Sequence, residues 1–155
     1  MRTQKNPFAS SQLKFILKKS PNVYKINTNK DAYVYLRAIW DKELINVQEQ
    51  IYVLYLNQVQ EVIAWRCLHT GTMKEVLLDK RLLFGFAYGC MAAGIILPHN
   101  HPSGILNPSA ADYTITKDIA AAAKLLDIRF LDHLIVSSTD YYSLRLDFVT
   151  NSETA

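Results

Sequence analysis

Apolar and polar positions along this chain fall into blocks with two different periods. From Gln12 to Lys18, Leu13, Phe15 and Leu17 alternate with polar residues, and only Ile16 breaks the pattern. Period two predicts an edge strand with one face on a core. Pro21-Asn22 predicts a turn. Asn27 or Thr28 is placed to cap a helix, with Asp31 in its first turn. Ala32, Tyr35, Leu36 and Ile39 then recur at helical spacing, so that helix should run to about Trp40 and bury this stripe. A hairpin follows. Residues 50–56 are rich in β-branched and aromatic side chains, Asn57-Gln58 marks the turn, and residues 61–68 return. The stretch His69-Thr70-Gly71-Thr72 reads as its closing loop.

Asp79 caps a second helix from Lys80 to about Ala92. Its apolar residues, among them Leu82, Leu83, Phe84, Ala87 and Met91, occupy nearly every face, which predicts a buried helix. The run Ile95-Ile96-Leu97-Pro98 predicts a central strand whose pairing fades at Pro98, a residue without an N–H. An alanine-rich helix is expected from about Ser109 to Leu126. Residues 128–131 and 134–136 give one or two strands, and Tyr141 to Leu146 a further extended piece. Helices and strands alternate loosely, so the fold class is α/β (or α+β), with three layers around a mixed sheet. The organisation read from this pattern is a basic tail and edge strand over residues 1–24, one domain over 25–147 and a polar tail over 148–155.

Composition narrows the picture without changing it. The chain has 155 residues, half of them hydrophobic and a fifth charged, as expected of a single globular domain with a real core. No apolar run approaches the ~20 residues needed to cross a bilayer. The first residues lack the apolar region of a secretory signal, so a cytoplasmic protein with no membrane partner is expected. Cys67 and Cys90 stand apart inside apolar segments and read as buried free thiols in a reducing compartment. Net charge is +3, but the first twenty residues hold five bases and no acid, leaving −2 on the rest. An acidic body behind a basic lead-in is weak support for nucleic-acid binding.

Candidate chemistry concentrates between Gly94 and Ala123. His99 and His101 flank Asn100 at the end of the predicted central strand, so both rings point to one face. Pro102 ends the run, and Ser109 opens the following helix with Asp112 at its third position. Ser109-x-x-Asp112 is equally an N-cap with a capping-box acid. Two imidazoles and a carboxylate within fourteen residues are, however, a catalytic zinc set with one open position.

The string His99-x-His101, seven residues, Ser109, two residues, Asp112 resembles the JAMM (MPN+) metalloprotease signature. The longer context HNHPSG, PSAAD and LLDIRFLDHLIV, with an upstream Gly-Thr, resembles the RadC branch of that superfamily across residues 25–147. The resemblance implies a JAB/MPN-like domain of deaminase-like architecture. It also implies a zinc-dependent hydrolase of peptide or isopeptide bonds that holds one Zn2+ per chain. His99, His101 and Asp112 match the family's zinc ligands, and Ser109 matches the serine that bonds the zinc-water and steadies the oxyanion. Glu49, just ahead of the first hairpin strand, matches the general base by position, with Glu43 as competitor.

The family's eukaryotic members carry Ser or Thr between the histidines, and Asn100 here fits the RadC branch. RadC chains often begin with a helix-hairpin-helix module, for which this sequence shows no pattern in residues 1–25. Two other functions compete with hydrolysis. One is a DNA-associated repair or recombination accessory, or a nuclease, which the basic lead-in and the family label suggest. The other is a scaffold that keeps its metal for folding. His-Asn-His is not an HNH nuclease, whose residues are not consecutive, and the cysteines lack the zinc-deaminase spacing. His133, among apolar residues, reads as a core histidine or one that orients a ligand, and His69 as a loop residue. Trp40, Trp65 and the tyrosines are scattered at core spacing, not as a base-stacking platform. Substrate identity and oligomeric state stay open.

Overall fold

A computed structural model defines residues 23–71 and 78–144 of the protein. The expected strand at 12–18, the Pro21-Asn22 turn, residues 72–77 and the chain beyond Leu144 lie outside the described residues. Among the described residues no helix is long and apolar enough to cross a membrane.

Helix α1 spans Asn29–Ile39. Thr28 caps it, and Asp31 closes a capping box by accepting from the Thr28 backbone N–H at 2.8 Å. Ala32 and Leu36 are buried, whereas Tyr35 and Ile39 are only half-buried at the edge of the stripe. Thr28→Ala should therefore cost about 1 kcal/mol, read as a lower denaturation midpoint at unchanged slope.

Strands β1 (Glu49–Leu56) and β2 (Val62–Gly71) form the hairpin. β2 runs three residues further than the sequence pattern suggests. Gly71, Thr70 and His69 pair with Glu49, Gln50 and Ile51, so His69 lies on a strand and not in a loop. Helix α2 (Lys80–Gly89) is capped by Asp79 and is not buried all round. Leu83, Phe84 and Ala87 face the sheet, but Leu82 and Tyr88 are 49% and 52% exposed. The helix lies on the sheet by one face, and its outer apolar side faces solvent. Cys67 and Cys90 are free and half-buried, less enclosed than their apolar surroundings suggested.

Strand β3 (Gly94–Asn100) is buried throughout and sits in the middle of a mixed five-stranded sheet of order β2-β1-β3-β4-β5. It is antiparallel to β1 and parallel to β4 (Arg129–Val136), with α3 (Ala110–Leu125) as the crossover. β5 (Tyr141–Ser143) closes the far edge. The expected loss of pairing at Pro98 is local. On the β1 side the register lapses at Leu97 and Pro98 and resumes at Ile51↔His99, while on the β4 side it continues through Asn100. The sequence left one or two strands open after α3, and β4 is a single strand across Asp132-His133 because both polar residues are buried with partners.

Period two sorts the sheet into two cores. Tyr52, Leu54, Leu56 and Ile96 pack under α1, and Ile51, Val53, Tyr55, Ile95 and Leu97 pack under α2 and α3. The result is the α/β, JAB-like three-layer fold with a mixed sheet. Continued along β3, the same alternation puts His99 and His101 on the α3 face and Asn100 on the α1 face.

Candidate metal centre

The site forms where β3 ends and α3 begins. In a parallel β-α-β unit the crossover helix starts beside the carboxyl end of its strand, and here β3 has an antiparallel neighbour on one side and a parallel one on the other. A separate hollow of about 680 Å³ lies among Asn57, Tyr88, Met91 and Leu126 and shares no residue with this site.

His99 and His101 bring their Nε2 atoms to 3.0 Å. Asp112, with its side chain fully buried, reaches both: Oδ1 lies 3.1 Å from His99 Nε2 and Oδ2 3.7 Å from His101 Nε2. The carboxylate is aimed by the start of α3. Ser109 Oγ and the Ser109 backbone N–H donate to Oδ2 at 2.6 and 2.7 Å, and Asp112 N–H donates back to Ser109 Oγ at 3.2 Å. The capping-box acid and the candidate ligand are thus the same residue. Burial alone would raise the Asp112 pKa. The neighbouring histidines and Ser109 outweigh it and hold the carboxyl well below the usual range, and the helix N-terminus favours the same anion. His99 is pushed down by its burial, while the Asp112 carboxylate beside it is the main force pushing His101 up.

Glu49 opens β1. Ile51 pairs with His99, so Glu49, two residues earlier, falls opposite His101, two residues later. Its carboxylate shares their face and forms with the two histidines a group able to hold a metal ion, every donor atom within 4.8 Å of the others. Glu43 lies instead on the turn before β1. Asn100 points to the other side of the sheet and clamps both peptide groups that flank Glu49. Its Oδ1 accepts from Gln50 N–H at 2.6 Å, and its Nδ2 donates to Gln48 and Ile45 carbonyls at 2.8 and 2.7 Å.

The donor set fits a cation. His101 Nδ1 lies 2.7 Å from the Ile105 carbonyl, which can only accept. The ring proton is therefore on Nδ1, and Nε2 offers a lone pair. That lone pair faces a second imidazole nitrogen and a carboxylate. Asp112 Oδ1 is buried and accepts no hydrogen bond despite the short distance to His99. A buried acceptor without a donor is costly unless a cation completes it.

A family model described as a RadC-like JAB domain matches residues 26–148. The chain belongs to the RadC-like JAB domain family. A UPF0758 protein of Flavobacterium johnsoniae is 44% identical over 119 residues, covering 77% of this chain and 51% of that protein. UPF0758 proteins of Streptococcus pyogenes serotype M49 and Streptococcus suis are 39% and 38% identical, over 71% and 63% of this chain and 47% and 40% of theirs. This RadC-like JAB domain spans about half the length, or less, of these curated relatives.

Two members of the RadC-like JAB site were not visible in the sequence pattern as functional residues. Asn100 reads there as the spacer between histidines that fits the RadC branch, not as a clamp on the peptides beside Glu49. Thr116 lies one helical turn beyond Asp112 and contacts His133 at 2.6 Å, a partner that the fold alone supplies.

Proposed function

We propose that this domain is a zinc-dependent hydrolase of peptide or isopeptide bonds, acting in the cytoplasm. The observation that carries the reading is the convergence of His99, His101 and Asp112 on one point, with Glu49 on the same face. Two imidazoles and a carboxylate favour zinc and leave a position open. When bound, the ion supplies Lewis acidity that polarises a carbonyl and makes water nucleophilic near neutral pH.

The chain's own residues do the rest. His99, His101 and Asp112 would hold the ion. Glu49 takes the proton of the attacking water and passes it to the leaving nitrogen, a task suited to a carboxylate beside the histidine donors. Ser109 donates to Asp112 Oδ2 at 2.6 Å. To steady the substrate's carbonyl oxygen it turns this proton outward, and the Ser109 backbone N–H keeps Oδ2 in place.

Metal analysis of the purified protein tests the reading. One zinc per chain is expected, and almost none in a His99→Ala/His101→Ala variant. A wild type without zinc, or a double variant that keeps it, overturns the assignment.

A further inference from the structure

Behind His99 the site continues into a chain of buried side chains. His99 Nδ1 lies 2.8 Å from His133 Nε2. His133 Nδ1 in turn lies 2.6 Å from Thr116 Oγ1. Thr116 Oγ1 lies 2.6 Å from the backbone carbonyl of Asp112, one helical turn back. Thr116, His133 and His99 are each at most 2% exposed, so water does not compete for these bonds. The contacts make a ring that leaves the site at Asp112 and returns to it at His99.

Counting protons gives the ring a direction. A carbonyl only accepts, so the single Thr116 hydroxyl proton goes to Asp112. Thr116 Oγ1 is then an acceptor towards His133, which carries its proton on Nδ1. A neutral imidazole protonated there has a lone pair at Nε2. That lone pair accepts from His99 Nδ1–H, which leaves His99 Nε2 without a hydrogen. The opposite direction would set a Thr116 Oγ1 lone pair against the Asp112 carbonyl oxygen at 2.6 Å and put a hydrogen on His99 Nε2.

We propose that Thr116 and His133 are positioning residues that lock His99 in its Nδ1–H tautomer, so that Nε2 is presented as a ligating lone pair. The inference deepens the zinc reading and rests on it. A ligating histidine usually donates its other N–H to a carbonyl or carboxylate, which can only accept. Here the acceptor is another histidine, which by itself could point either way. Thr116 breaks that symmetry because it is anchored on the backbone of α3. One turn of helix therefore sets both the Asp112 carboxylate and the protonation pattern of His99.

Nitrogen NMR of 15N-histidine-labelled, zinc-free protein reads the tautomers directly. His99 and His133 are both expected as Nδ1–H. Thr116→Val should shift both towards Nε2–H and weaken zinc binding, measured by chelator competition, about 10- to 100-fold. Thr116→Ser should restore tautomers and affinity together. A His99 protonated on Nε2 in the zinc-free wild type overturns the proposal, as does a folded Thr116→Val with wild-type tautomers and affinity. If Thr116→Val fails to fold, the wild-type spectrum decides alone. A wild type that takes up no zinc would sink the zinc reading, and the same spectrum would still decide the direction of the ring.

Discussion

Glu49→Gln is expected to lower cleavage of a mixed peptide library about 100- to 10,000-fold, read as new N-termini by mass spectrometry, with zinc content unchanged. Gln keeps the size and hydrogen-bonding reach of the side chain but cannot take a proton from water. The geometry makes this a sharp test, because Glu49 lies within 4.8 Å of the histidine donors and its group could also ligate a metal. Two results would contradict the assignment of Glu49 as base. Undiminished cleavage removes it from the chemistry. Loss of zinc along with activity makes it a ligand.

Asn100→Ala should destabilise the fold by about 3 kcal/mol, since Gln50 N–H and two carbonyls lose their buried partner. For a domain of this size that is a melting temperature lower by on the order of 10 °C. The cost falls on the segment that carries Glu49, not on the histidines, whose side chains face the other way. Zinc content in the folded fraction should therefore stay near one per chain. A melting temperature within about 2 °C of wild type would show that water takes over the three bonds.

Much of the site is legible because it is local. Period two alone puts His99 and His101 on one face, and a cap alone brings Asp112 back to them. Glu49 is reachable from sequence only through the family resemblance, since β1 meets β3 by a register that no local pattern contains. The ring through Thr116 and His133 is hidden for the same reason: Thr116 reads as an ordinary helix residue until β4 lies beneath it. Local rules failed where tertiary context decided. His69 looked like loop because Thr70-Gly71-Thr72 follows it, yet pairing with β1 extends the strand. α2 looked buried because Leu82 and Met91 are apolar, yet the helix covers the sheet with one side only.

The β3-α3 unit has a consequence for the order in which the site assembles. All three proposed ligands lie within fourteen consecutive residues of one strand, loop and helix start. The loop that must close to join them is short, and its entropic cost is small. Glu49 joins only when β1 pairs with β3 across some fifty residues. Assembly of the proposed ligand set and arrival of the proposed base are therefore separable events during folding. A chain in which the β1–β2 hairpin has locally detached from the sheet keeps all three proposed ligands and lacks the proposed base.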